Sequence, residues 1–391
     1  MLVFTARDEV LLLHLREGIL AAPFVAWAYY LIAAVCAAVF FSRKRVPRSP
    51  QTPPVSILKP VRGLDREGGE NFASFCRLDY PEYEILFGVS DPNDPAIPAI
   101  EKIISEFPER PIRLFTGLGR VGHNDKASIL AHLAREANHE LLVISDSDTR
   151  AQEDYLRVMV APFSDRAVGA VTCLYRGAGA NSLADSLEAV GISSDFLPGV
   201  LLACQLGGIG FALGAAMATT RAQLAAIGGF EALSDFLMDD YELGRRIARQ
   251  GCRVELLPYV VSMVLPSESL RGYWGRQLRW AVGVRNSRPW SHLGLLITQG
   301  LPLSLLAAAV SRSGPETWAY ITGYVATRYA MAWTAGVWGL RDPVLRRKFW
   351  LVPVRDAVGF CAWVASFLQR RITWRGNAFH VRKGRLAPVV R

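Results

Sequence analysis

What this 391-residue chain lacks narrows its class early. Its six cysteines, Cys36, Cys76, Cys173, Cys204, Cys252 and Cys361, are scattered and form no C-x-x-C pair, which argues against a zinc site and against a disulfide framework. No internal repeat and no low-complexity tract is present. Charge is scarce, at 20% of residues, and it avoids a few long apolar runs that carry the hydrophobic content to 51%. The balance is basic, with a formal net charge of +9, but many of the Lys and Arg residues flank apolar runs or fill the C-terminal tail. Anionic lipid headgroups are therefore the expected electrostatic partner, and nucleic acid is not.

The first apolar run, Gly18 to Phe41, is uncharged and long enough to cross a bilayer. Ser42-Arg43-Lys44-Arg45-Val46-Pro47-Arg48 follows it, and the positive-inside rule then puts the Arg43 side in the cytosol. A cleaved signal peptide is the competing reading, against which the run's length, its basic flank and the poor site Ala34-Val35-Cys36 weigh.

A Pro-rich linker (Pro47, Pro50, Pro53, Pro54) leads to a series of short apolar runs and helical patterns. Val55 to Pro60, Tyr83 to Ser90, Arg113 to Phe115 and Leu141 to Ser145 read as strands. Glu70 to Arg77, Ile97 to Phe107 and Lys126 to Ala137 read as helices between them. That alternation predicts an α/β domain with a doubly wound sheet. Its most informative stretch is Leu141-Leu142-Val143-Ile144-Ser145-Asp146-Ser147-Asp148, an apolar strand ending in two carboxylates at i, i+2. The carboxyl ends of such strands are where open sheets place ligands, and a D-x-D there can hold a divalent cation that in turn holds a diphosphate. A solvated turn is the ordinary alternative for the same residues.

Asp239 and Asp240 open a helical pattern, where the helix dipole favours negative charge, so capping explains the pair as well as chemistry does. Arg276 and Arg279 share a helix face beside Trp280, suiting phosphate oxygens and a planar wall, or else a basic aromatic surface at a membrane. Phe196 to Ala218 is another uncharged run. Its glycines weaken an isolated helix, so it is expected as buried or interfacial backbone, with a true span as the alternative. Gly294 to Val310 and Trp318 to Leu340 are spanning candidates. Arg328, inside the second, is expected to face a protein interior. Phe349 to Leu368 contains Arg355 and Asp356 and is expected at the interface without crossing, which leaves a basic cytosolic tail. The resulting organisation is an N-terminal segment and anchor (1–41), a cytosolic α/β domain (42–290), C-terminal membrane helices (291–368) and the tail (369–391).

Taken together, the chain resembles the ceramide glucosyltransferase family of membrane-bound GT-A glycosyltransferases, and is similar to bacterial enzymes that glycosylate hopanoid polyols. The likeness runs through Val55 to Pro60 with Gly63 and Asp65, Leu78 to Glu84, Asp94 to Ile97, Val121-Gly122 with Asn124 and Lys126, Asp146-Ser147-Asp148, Asp239-Asp240-Tyr241, Arg276 to Trp280 and Trp374-Arg375-Gly376. It implies a GT-A fold with a mixed sheet, and an inverting transfer from a UDP-sugar to a membrane lipid hydroxyl. It also implies residue roles. Asp91 contacts the nucleoside. Asp146 and Asp148 hold Mg²⁺ or Mn²⁺ and the donor. Asp240 is the base, with Asp239 supporting it or the acceptor. Arg276, Arg279 and Trp280 bind the diphosphate, and Lys59 and Lys126 also face the donor. Vertebrate ceramide enzymes carry a histidine in the segment matching Gly191 to Asp195, where this chain has none. The acceptor is accordingly open between ceramide and a hopanoid polyol, and the sugar between glucose, galactose and N-acetylglucosamine. A processive polysaccharide synthase and a polytopic transporter are the competing classes. The resemblance implies an integral membrane protein with its catalytic domain on the cytosolic face of a bacterial inner membrane.

Overall fold

The computed structural model describes residues 6–43, 46, 51–369, 371–374 and 377–388. Lys44, Arg45, Pro47 and Arg48 of the basic flank, and Arg375 and Gly376 of the tail motif, lie outside the described residues.

The centre is a mixed eight-stranded sheet. Its strands are β1 (Val55–Val61), β2 (Tyr83–Val89), β3 (Ile112–Phe115), β4 (Leu141–Ser145), β5 (Thr149–Arg150), β6 (Val168–Ala178), β7 (Ala216–Thr220) and β8 (Arg253–Val264), in the order β3-β2-β1-β4-β7-β6-β8-β5. β1, β2 and β4 are buried along their whole length, which is why each reads as an unbroken apolar run. β1 pairs in parallel with β2 on one side and with β4 on the other, so the chain winds outward to β3 and returns to start again beside β1. The switch of winding falls between β1 and β4, and Asp146 and Asp148 follow directly at the carboxyl end of β4.

The uncharged run 196–218 divides between two elements. Leu197–Gly207 ends a helix, and Ala216–Thr220 is β7, antiparallel to both β4 and β6 in the middle of the sheet. Buried backbone is what this run supplies, because its small residues suit a central strand packed on both faces.

Among the described residues, three helices are long and apolar enough to cross a membrane: Val10–Arg43, Leu183–Gly207 and Phe349–Leu368. Leu183–Gly207 has 67% of its apolar stretch buried inside the protein, against 28% for Phe349–Leu368. The expected continuous span from Gly294 to Val310 is instead broken, with Pro289–Thr298 and Gly300–Val310 meeting at 51°. Pro302 cannot continue the hydrogen-bond ladder, and Gly300 sits under Tyr30, whose ring a Cβ would meet at 2.6 Å. The 318–340 run is helical from Gly314 to Ala332 but is not among the long apolar helices. Arg328 within it is 1% exposed, as the interior reading required. Its guanidinium meets Asp356 Oδ1 at 2.7 Å and Oδ2 at 2.8 Å, and donates to the Ser194 carbonyl at 2.8 Å.

The tail folds into a three-stranded antiparallel sheet, β9 (Arg371–Trp374), β10 (Asn377–Arg382) and β11 (Arg385–Pro388). Ile372, Phe379, Val381 and Leu386 bury against Val282, with Leu237 and Leu278 alongside.

Candidate active site

The carboxyl end of β4 gathers residues from four segments. Lys59, fully buried in β1, donates from Nζ to the Asp146 carbonyl at 3.0 Å and lies 3.6 Å from the Phe75 ring centroid. Lys126, in the first turn of the Asp125–Glu136 helix, reaches Asp146 Oδ1 at 2.6 Å, the Gly214 carbonyl at 3.3 Å and Asp239 Oδ2 at 3.9 Å. Asn124 caps that helix through the Ala127 N–H. Its amide nitrogen donates to the Phe236 carbonyl at 2.8 Å and to Asp239 Oδ1 at 3.2 Å. The D-x-D and the Asp239-Asp240 pair, 93 positions apart in the chain, are thus tied to one short segment, Asn124 to Lys126.

Electrostatics set the protonation of this group. Burial, with Asp146 and Asp65 adding repulsion, pushes the Asp148 carboxyl up to about 8. Burial, followed by the charge of Asp239, pushes Asp240 up to about 6. Lys59 is pushed down to about 7 by burial, against the pull of Asp146, Asp148 and Asp65. Burial opposes the charge of Lys126 as well, but Asp146, Asp239 and Asp240 outweigh it and hold that amine above the ordinary lysine range.

The group fits a divalent cation. Asp148 Oδ1 is buried without a hydrogen-bond partner among the described residues, and the carboxylate offers the hard oxygen such ions take. Among the described residues no three His, Cys, Asp or Glu side chains form a cage for an ion. An ion at Asp146 and Asp148 would therefore complete its shell from water and phosphate, the usual condition of magnesium sites in phosphate chemistry.

Not every expected residue joins this group. Asp91 is exposed just past β2 and accepts the Asn93 N–H at 2.9 Å within its own turn. Arg276, on the Leu270–Ser287 helix, is held by Glu268 at 3.1 Å and Glu188 at 3.5 Å. Trp280 of the same helix is 43% exposed. Two residues had no role assigned from sequence. Asp65 accepts from the Ser147 hydroxyl and adds its charge to Asp148, a place its company with Gly63 after β1 could have signalled. Tyr175 in β6 feels the charges of Asp240, Glu188, Asp146 and Asp148 together, and nothing in its local sequence marks it.

The chain as a whole is similar to known proteins. Ceramide glucosyltransferase 3 of Caenorhabditis elegans is 22% identical over 353 residues, covering 87% of this chain and 75% of that protein. The ceramide glucosyltransferase of Komagataella phaffii is 33% identical over 113 residues, 28% of this chain and 22% of that one. Among solved structures, a mannosyltransferase from Pyrobaculum calidifontis in complex with GDP-Man and Mn²⁺ superposes with a TM-score of 0.53 at 21% identity. It covers 89% of this chain and 99% of that one, and the likeness establishes the GT-A fold. The family model for glycosyl transferase family 21 matches residues 18–387, taking in the sheet, the carboxylates and the apolar helices, so the chain belongs to glycosyl transferase family 21 and is a glycosyltransferase.

Proposed function

We propose that the chain transfers a sugar, with inversion, from a UDP-sugar to a hydroxyl of a membrane lipid, in the manner of a ceramide glucosyltransferase. The observation that carries this reading is the sharing of Lys126 between Asp146 and the Asp239-Asp240 pair, at the switch point of a sheet whose chain also carries long apolar helices. Asp146 and Asp148 would hold Mg²⁺ or Mn²⁺ with the donor diphosphate. When bound, the cation supplies positive charge where negative charge builds on the leaving diphosphate. Lys59 and Lys126 add fixed positive charge on the same side, and Asp91 receives the nucleoside. Asp240, with its carboxyl near 6, is largely ionised at neutral pH and takes the proton of the acceptor hydroxyl as it attacks the anomeric carbon. A single displacement inverts that carbon and leaves no covalent enzyme intermediate. Asp239 supports the base. Arg276, Arg279 and Trp280 close over the diphosphate, which requires Arg276 to exchange its present pairing with Glu188 and Glu268. The active face is cytosolic, where UDP-sugars are made available to a bacterial inner membrane.

Ceramide and a hopanoid polyol are both acceptors of suitable chemistry. The segment Gly191 to Asp195, which carries no histidine, bears on the choice because it commits Ser193 to Asp342 Oδ2 at 2.6 Å, Ser194 to Arg328 and the half-buried Asp195 to Arg355 at 3.4 Å. Membranes containing the chain, incubated with labelled UDP-glucose or UDP-N-acetylglucosamine, should pass label into an organic-extractable lipid. EDTA should stop transfer and Mn²⁺ or Mg²⁺ restore it. Mass spectrometry of that lipid names sugar and acceptor together. Label in a water-soluble polymer would refute the proposal in favour of a polysaccharide synthase, and no EDTA-sensitive transfer at all would refute it outright.

A further inference from the structure

A second polar cluster lies between three helices, Leu183–Gly191, Leu270–Ser287 and Val352–Leu368. Glu188, 2% exposed, accepts the Gln277 amide at 2.9 Å through Oε2, while its Oε1 is buried with no hydrogen-bond partner among the described residues. Gln277 accepts Arg355 Nη2 at 3.0 Å, and Arg355 also pairs with Asp195 at 3.4 Å. Among the described residues, Arg355 Nε and Nη1 have no hydrogen-bond partner, and neither does the hydroxyl of Tyr273, which is 2% exposed and in the field of Arg355 and Glu188. Space for the guanidinium comes from two glycines: a Cβ at Gly191 would strike Arg355 Nε, and one at Gly359 would come 2.5 Å from Nη1. Buried polar atoms left unmet cost about 1–3 kcal/mol each, so several in one place mark a site built for something other than stability.

Two further observations say what that is. Tyr175 feels Glu188 as well as Asp240, Asp146 and Asp148, so the cluster adjoins the candidate base and D-x-D. The flanking helices also present apolar surface outward, with Leu270 53% and Leu368 83% exposed. The unmet atoms are of both kinds, acceptors on Glu188 and donors on Arg355, with a phenol that can be either. The acids Glu188 and Asp195 disfavour an anionic group, whereas hydroxyls and amides satisfy donors and acceptors alike.

Resting on the lipid glycosyltransferase reading, we propose that Glu188, Tyr273 and Arg355 form the recognition site for a neutral, hydroxyl-bearing head of the acceptor lipid, presenting one of its hydroxyls to Asp240. The test is the kinetics of Tyr273→Phe and Glu188→Gln with a short-chain ceramide and a hopanoid polyol in detergent micelles. Tyr273→Phe deletes a hydroxyl that has no partner, so its thermal midpoint should equal or exceed that of the parent. Its KM for the accepted lipid should rise about tenfold, the worth of one hydrogen bond, with the KM for UDP-sugar within about twofold. A packing role alone would leave the lipid KM where it was. Glu188→Gln should raise the lipid KM likewise, although its contact with Arg276 can also move the donor KM. Unchanged lipid KM in Tyr273→Phe, or equal changes for lipid and donor, overturns the inference while leaving lipid glycosylation standing. Failure of the parent chain to glycosylate either lipid overturns both.

Discussion

Replacing Phe379 by alanine asks whether the C-terminal sheet sets the geometry of the candidate base. The tail grips the segment just before Asp239-Asp240: Leu237 N donates to the Gly384 carbonyl at 3.0 Å, Leu386 N to the Asp235 carbonyl at 2.7 Å, and the Arg385 guanidinium lies 5.0 Å from the Phe236 ring centroid. Asp235 in turn holds His123 Nδ1 at 2.7 Å, next to Asn124, so the grip extends to the segment that carries Lys126. Phe379 is 5% exposed at the centre of the small core beneath the tail. Emptying such a site costs about 3–5 kcal/mol. At about 1.4 kcal/mol per tenfold, the docked-to-undocked ratio falls by a factor of roughly 10² to several times 10³. A three-stranded sheet this small has little stability of its own to absorb that loss. The expected result is a fall in kcat of tenfold or more with the KM for UDP-sugar within about threefold, together with new tryptic cleavage at Lys383 or Arg385. Arg382→Ser, at an exposed position on β10, should behave as the parent in both assays. If Phe379→Ala exposes the tail to trypsin yet keeps full kcat, the tail does not position the base and the reasoning fails.

Other consequences are as direct. Because the Asp240 carboxyl is pushed up to about 6 and must be ionised to act, kcat/KM should rise with pH through that value and level off above it; a flat profile from pH 5 to 8 removes Asp240 from the base role, as would an Asp240→Asn variant that loses less than tenfold. Gly214→Ala puts a methyl 2.9 Å from Asp240 Oδ2 and 3.5 Å from Lys126 Nζ, so kcat should drop about tenfold at unchanged thermal midpoint. Glu84, buried 3% exposed at the other end of the sheet, accepts from Ser56 Oγ and Asn138 N at 2.6 Å and from Arg113 at 2.8 Å. Glu84→Ala should cost about 3 kcal/mol, read by tryptophan fluorescence on heating. Burial alone would raise the Glu84 pKa, but Ser56, Asn138 and Arg113 bring it below the ordinary value. Its contribution is therefore present above the unfolded carboxyl pKa and lost as pH falls through the folded one, so the deficit of the variant should shrink below about pH 4.

How much of this was legible depended on whether a residue's neighbours in the sequence were also its neighbours in space. β1, β2 and β4 were readable because full burial makes an apolar run and the loops that follow are rich in Pro, Gly and Asp. β7 hid inside a run that resembled a span, since Ala216-Met217-Ala218-Thr219-Thr220 has the small residues a crowded central strand needs and no alternation. The long pair β6 and β8 drew no expectation at all; they run parallel to each other, and it is β7, antiparallel to both β4 and β6, with the short β5, antiparallel to β8, that makes the sheet mixed. In the tail, the density of Arg and Lys masked a hairpin signal: Lys383 and Gly384 both have positive φ, at 48° and 79°, between strands whose Phe379, Val381 and Leu386 alternate inward. At the site, Lys126 lies against Asp146 and beside the Asp239-Asp240 pair, whereas Arg276 faces Glu268 from just before its own helix and Glu188 from a distant segment that no local pattern could announce.

The same distinction explains how the apolar helices and the sheet are joined. Within Leu183–Gly207 the residues Ile192–Phe196 form a π-helical turn, a geometry that costs regular hydrogen bonding and is common at functional positions. The wider turn rotates three successive side chains toward three different partners. Ser193 bonds Asp342, Ser194 receives Arg328, and Asp195 pairs with Arg355. Arg328 belongs to the 314–332 helix, and Arg355 and its neighbour Asp356 to the 352–368 helix, so one turn anchors both. A buried ion pair is weak as a source of stability but strict about geometry, because separating either partner strands a charge in an apolar medium. Arg328 with Asp356 fixes the two outer helices to each other, and Arg355 with Gln277 fixes the second of them to the helix that carries Arg276 and Trp280. The charges that made 349–368 a poor span by sequence are therefore the contacts that hold this apolar helix in register with the helices packed on the sheet.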